Sequence, residues 1–382
     1  MAGQTTGGLA PSARCFCCFE EAAGAARAPG APGALAVTSC GCQCLTLFVC
    51  PGCMWRLVAP PGEPGEVPRP AQMHCKVCLG RFSDAAVLMA CRHAVEGASA
   101  LAVGAAPGAV PGAAPGAAPG SSPGAEQEAV SEARDKTLLS VMETLLKIQD
   151  ANADAALALA RGVVAEQAAL FGTLHLTAVH FQVMLGYVLS RFERDEEAVA
   201  IFNSCAWVQS AMVQNWDAVE PSASDRKWMH RTLRSRLNAA MSRIAAVETA
   251  EARAPEGPRA RVQSAAARAS ESKAVEKELL EVHTRLLKLF GPFHRDSLAV
   301  IFMLAKEMAE RVLLELGGAP ARTRWQHAQL EVARSVVDAG LQSADAAMAS
   351  LPAAGGALVS VAREHMLEHR AALAEAAGAG AA

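Results

Sequence analysis

The cysteines are the residues whose type and spacing point most directly to chemistry. The chain of 382 residues holds 12, and 11 of them lie between Cys15 and Cys91, with Cys205 alone further on. They fall into close pairs: Cys15 and Cys18, Cys40 and Cys42, Cys50 and Cys53, Cys75 and Cys78. A short turn bearing two thiolates supplies half of a tetrahedral metal site, and a second such turn completes it. Four pairs give eight sulfur ligands, enough for two structural Zn²⁺ ions. Cys17 overlaps the first pair and could replace Cys15 or Cys18. Cys91 and His93 fall more than ten residues after the last pair and are expected on a helix, not on the metal. A labile metal store or a redox sensor is the competing chemistry for such a cluster.

The order of the pairs narrows the reading. It runs C-x2-C, 21 residues, C-x-C, 7 residues, C-x2-C, 21 residues, C-x2-C. With the stretches Ser39-Cys40-Gly41-Cys42 and His74-Cys75-Lys76-Val77-Cys78-Leu79-Gly80-Arg81-Phe82, residues 13–83 resemble the RING-CH (RINGv) type of RING finger. That resemblance implies a cross-brace: Cys15, Cys18, Cys50 and Cys53 on one zinc, Cys40, Cys42, Cys75 and Cys78 on the other. It also implies docking of a ubiquitin-conjugating enzyme, by Phe16, Pro51, Met54 and Trp55 beside the ligand pairs. The chain departs from the family at four places. Cys50 replaces its usual His, and Cys17 its aliphatic contact residue. Trp55 stands two residues after Cys53 and not four, and Leu79 takes the place of a basic residue after the last ligand.

Conventional active-site patterns are absent from the sequence. The chain has no phosphate-binding glycine loop, nucleophile elbow or H-E-x-x-H pair. His175 and His180 are five apart and do not share a helical face, and Cys205 is expected as a buried apolar residue. No catalytic residue is assigned, because a RING acts by positioning a charged conjugating enzyme.

The elements that must carry these residues follow from composition and period. Residues 104–125 read GAAPGAVPGAAPGAAPGSSPGA, a tract in which Pro and Gly deny helix and nothing can form a core. A weaker joint lies near Ala254–Arg259. From about residue 126 the apolar period is helical: Leu138, Val141, Met142, Leu145, Leu146, Ile148; then Leu280, Val282, Leu286, Leu287, Leu289; then Val300, Leu304, Met308, Val312, Leu313. These stripes are expected to be core, on seven or eight helices.

An internal repeat is present. Leu170-Phe171-Gly172-Thr173-Leu174-His175 recurs 119 residues later as Leu289-Phe290-Gly291-Pro292-Phe293-His294. The phrase resembles the turn of kinesin-light-chain-type tetratricopeptide repeats. In the register of that family, small residues fall at Gly186, Ala198 and Ala305, Asp296 matches an acidic position, and Glu193 stands in an inter-helix turn where Gly is usual. Val213 to Ile244 reads as a degenerate unit, with a spacer over 250–270. The resemblance implies a groove that binds a protein or peptide. Arg226, Lys227, Arg231, Arg234 and Arg236 form a basic cluster, either a solvated face or a contact for an acidic partner.

Composition sets the outer bounds. Formal net charge is −3, which argues against non-specific nucleic-acid binding. Aromatics are 4 %, too few for a large β-fold, and alanine, about a fifth of the chain, inflates the mean hydropathy. No apolar run is long enough to span a membrane, and no signal-like start is present, so a cytoplasmic location is expected. The expected fold is mostly α: a zinc module over 13–95, a Pro/Gly/Ala linker over 96–126, and a tetratricopeptide-like α-solenoid of helical hairpins over 127–377. The expected function is that of a RING-type E3 ubiquitin-protein ligase-like protein. The alternative is a non-enzymatic, zinc-stabilised scaffold.

Overall fold

The computed structural model describes residues 36–37, 48–49, 51–58, 73, 81–104, 123–253, 258–292, 294–317, 323–350 and 353–378. The described chain is mostly α-helical and divides into two compact units, residues 1–188 and 189–382.

In the first unit, β1 (Ala36–Val37) pairs antiparallel with β2 (Phe48–Val49), Ala36 opposite Val49. Helix α1 (Pro51–Val58) follows at once, then α2 (Asp84–Gly104), α3 (Pro123–Leu145), a 3₁₀ turn at Asp150–Asn152, and α4 (Ala153–Phe171). Helix α5 (Leu176–Arg191) crosses the division. Met54 and Val58, one turn apart on α1, are both fully buried, and α1 packs on α2. Residues 96–104, placed in the linker by composition, are the last turns of α2.

Polar ties hold this unit in register. Asp84 opens α2, pairs with Arg81 at 3.2 Å, and accepts the Gln149 amide at 2.8 Å. Arg81 also donates to the Lys147 carbonyl. Ser99 on α2 meets Glu166 on α4 at 2.8 Å, and Arg134 on α3 meets Gln167 on α4 at 3.0 Å. The expected stripe on α3 is core: Leu138, Val141, Met142, Leu145 and Ile148 are fully buried.

The second unit comprises α6 (Asp195–Ser210), α7 (Ala223–Arg253), α8 (Pro258–Phe290), α9 (Arg295–Leu316), α10 (Arg324–Ser350) and α11 (Ala353–Ala376). Each packs on the next, and α11 also returns to α9. Two apolar cores share α9. One draws Leu233 and Leu237 from α7, Val275, Leu279, Val282 and Leu286 from α8, and Val300 and Leu304 from α9. The other joins Ala305, Ala309 and Val312 to Leu330, Val337 and Leu341 of α10 and to Val359, Met366 and Leu373 of α11.

Three expectations need correction. From Pro123 onward the described residues form nine α-helices, where seven or eight were expected, and the stretch read as a spacer over 250–270 belongs to α7 and α8; only 254–257 fall outside the description. Leu280 and Leu287 are exposed, at 55 % and 36 %, so they leave the stripe. On a 3.6-residue period, burial of Leu279, Val282 and Leu286 turns Leu280 and Leu287 to the far side.

Candidate functional site

The sequence repeat is a structural repeat. Gly172 and Gly291 end α4 and α8 at φ 87° and 84°, a left-handed region that side chains with a Cβ disfavour. Each Gly amide donates to a carbonyl four residues back, Ala168 and Leu287, at 2.9 Å. Three residues on, a histidine caps the next helix through its own ring. His175 Nδ1 accepts the Thr177 amide, and His294 Nδ1 accepts the Asp296 amide, both at 3.3 Å. Each ring stacks on the preceding phenylalanine: Phe171 with His175 at 5.0 Å and 19°, Phe290 with His294 at 4.5 Å and 24°. Leu-Phe-Gly-x-x-His thus encodes one helix stop, one helix start and the ring pair joining them.

The second copy has an addition the first lacks. Asp296 replaces Thr177 and reaches His230 on α7, with Oδ2 at 2.5 Å from Nε2. His230 also meets Phe290 and His294 edge-on, at 4.8 and 5.4 Å. Hydrogen bonding by His230, then its charge, holds the Asp296 carboxyl below the usual range, with Arg234 and His294 adding to it. Nothing in the sequence singles out His230, which lies 66 residues from its partner.

His230, His294 and Asp296 each offer a ligand atom, and these lie within 4.8 Å of one another. His294 Nδ1 accepts the Asp296 amide, and His230 Nε2 and Asp296 Oδ2 are bonded to each other at 2.5 Å. The arrangement acts as a polar latch between α7 and the start of α9.

Beside the latch the surface opens into a cleft of about 380 Å³ lined by Ala223, Arg226, Lys227, His230 and Phe290. The basic cluster expected on α7 separates here by role. Arg236 is bound to Glu281 through two nitrogens, at 2.9 and 3.0 Å, and to Glu278. Arg231 lies 4.8 Å over the Trp228 ring. Arg226, Lys227 and Arg234 are exposed and make no ion pair among the described residues.

The two described thiols outside the paired cysteines are buried and reduced. Burial pushes both Cys91 and Cys205 up to about 12, so neither is a thiolate at neutral pH. Cys91 lies on α2 and His93 is exposed there, as expected of helix residues.

Of the expected zinc ligands, Cys15, Cys18, Cys40, Cys42, Cys50, Cys75 and Cys78 lie outside the described residues. Cys53 lies on α1, its side chain outside the description, and Pro51 is likewise described only as the first residue of α1. Phe16 is outside the description. Met54, placed on the docking surface by the resemblance, is fully buried, whereas Trp55 is half-buried. The reason is the α1 period: Met54 shares its inward face with Val58, one turn on.

No family model, no curated protein and no solved structure matches this chain. Among the described residues, no helix is long and apolar enough to cross a membrane.

Proposed function

We propose that the chain is a RING-type E3 ubiquitin ligase-like protein whose zinc module recruits a ubiquitin-conjugating enzyme and whose helical repeats bind a protein substrate. The observation that carries the first half is the order of the four cysteine pairs. Eight thiolates match the preference of Zn²⁺ for sulfur in a closed tetrahedral shell. The β1–β2 pairing supports it, because Ala36 opposite Val49 draws together the chain on either side of Cys40 and Cys42. The twin turns at Gly172 and Gly291 support the second half: a recurring helix–turn–helix phrase is the unit from which tetratricopeptide-like surfaces are stacked.

In this reading Cys15, Cys18, Cys50 and Cys53 hold one zinc and Cys40, Cys42, Cys75 and Cys78 the other. Each zinc fixes the fold of the module. The chain's own residues bind and orient the conjugating enzyme, with Trp55, half-buried on α1, among them.

The test is autoubiquitination of the full chain with a panel of conjugating enzymes. Ubiquitin chains should form with at least one of them and should be lost in Cys53→Ser and Cys78→Ser. Activity that survives both substitutions overturns the ligase reading. The burial of Met54 favours a second reading, a zinc-stabilised scaffold with no transferase activity. It predicts full zinc content and no ubiquitin transfer with any enzyme of the panel.

A further inference from the structure

Two clefts meet on the second unit, and Arg226 lines both. In the first, Arg226 and Lys227, on consecutive positions of α7, share the lining with Phe290 and His230, the latter part of the latch with Asp296. The second holds Trp216 and Val219 with Arg285 and Lys288 of α8, and Glu220 is the one acid on its wall. Val219 is 88 % exposed, and Arg285 lies 5.1 Å over the Trp216 ring. Arg226, Lys227 and Lys288 form no ion pair among the described residues, whereas Arg285 is shared with Glu281 at 3.4 Å. The neighbouring Asp296 is already taken up by His230.

The start of α7 does not supply the charge. Ser222 Oγ accepts the Asp225 amide at 3.0 Å, and Asp225 accepts from Ser222 and from the Gln214 amide, both at 2.9 Å. That end of the helix is closed by its own cap. The charge available to a ligand is on side chains.

We infer that these adjoining clefts bind a phosphorylated segment of a partner protein, with the phosphate against Arg226 and Lys227 and a neighbouring apolar side chain against Trp216 and Val219. The inference rests on reading the helical repeats as a protein-binding surface. Two exposed cations in no ion pair, Arg226 and Lys227 (whose Nζ lies 5.8 Å over the Trp228 ring), match a phosphate monoester, which carries about −1.5 to −2 charge and three acceptor oxygens, better than they match a single carboxylate. Arginine offers a fork of donors and lysine a point charge, the combination such groups recruit. A nucleic acid fits less well. It needs a continuing basic track, and here Asp217 and Glu220 interrupt the positive surface of a chain whose net charge is −3. The apolar walls suit a peptide, whose side chain beside the modified residue needs somewhere dry to sit.

The experiment uses the full chain and fluorescence anisotropy. The probes are a labelled pool of short peptides with one fixed phosphoserine and randomised flanks, the same pool without phosphate, and a single-stranded oligonucleotide. The phosphorylated pool should bind roughly tenfold more tightly than the plain one, and the advantage should shrink as salt rises. R226E/K227E should abolish that advantage with an unchanged melting temperature, and the milder R226A/K227A should reduce it. K288E should weaken both pools alike. Equal binding of the two pools, or an advantage that survives R226E/K227E, overturns the phosphate site while leaving a protein-binding surface in place. Tighter binding of the oligonucleotide than of either pool overturns both.

Discussion

At the scale of single residues, the departures from expected residue types are the informative positions. Glu193 is the one described non-glycine residue with positive φ, at 56°. It follows α5 in a closed C-terminal turn: the Arg194 amide bonds the Leu189 carbonyl at 2.9 Å, and the Glu193 amide bonds Ser190 at 3.2 Å. Glycine would take this φ without the strain that a Cβ brings. Relief of a left-handed Cβ is worth about 1 kcal/mol. Glu193→Gly should therefore raise the melting temperature by roughly 2–4 °C in a thermal scan; a fall would mean that the Arg253 pairing with Glu193, at 3.5 Å and exposed, matters more than the backbone. Glu307 is a second such position. Burial on α9 pushes its carboxyl up to about 7, with Ser272 Oγ its partner at 3.4 Å. A folded-state value above the unfolded one means the native state holds the proton more tightly. Its contribution to stability is thus full below about pH 4.5 and is lost as pH rises through about 7. Melting temperature against pH should fall across that window in the wild type and flatten in Glu307→Gln. An unchanged slope in the variant would assign the titration elsewhere.

At the scale of elements, the sequence was most legible where one residue type has one structural use. Gly172 and Gly291 could be read as turn residues, and both have the positive φ that turn requires. Ala305 could be read as a small residue at a close helix approach. It is fully buried, and a Cβ built on Gly340 of α10 would come 3.8 Å from it and 2.6 Å from Met366 Sδ of α11. The three helices touch through that point. Ala305→Leu has no room to repack there and should cost about 1–3 kcal/mol, read as an earlier denaturant midpoint with the slope unchanged. A variant as stable as wild type would show that α10 and α11 can separate at no cost. What could not be read is equally physical. His230 has no local pattern, since its meaning comes from Asp296 across an inter-helix contact. The reach of α7 to Arg253 and of α8 from Pro258 could not be read because alanine is a good helix former that marks no face. Leu280 and Leu287 misled because an apolar residue type does not fix which side of a helix turns inward.

At the scale of the whole molecule, the division into two compact units makes the role of metal testable. In the first unit α1, the helix that bears Cys53, packs on α2, and α2 packs on α3 and α4. In the second, α7 to α11 are joined by two apolar clusters that draw on no residue before Leu233. A structural zinc contributes its binding free energy to folding, so its removal is felt by whatever packs on the module. Chelation of the full chain should therefore release two zincs and speed amide exchange in α1 and α2. Exchange in α7 to α11 should remain slow, because these helices are held by apolar clusters of their own and local stability varies across a structure. Hydrogen exchange followed by fragment mass analysis resolves the two regions in one experiment. Release of fewer than two zincs would break the cross-brace proposed for the eight cysteines. Loss of protection across α7 to α11 would show the repeats folding on the module, and the chain would then be one cooperative structure in which a bound partner and a bound metal report on each other.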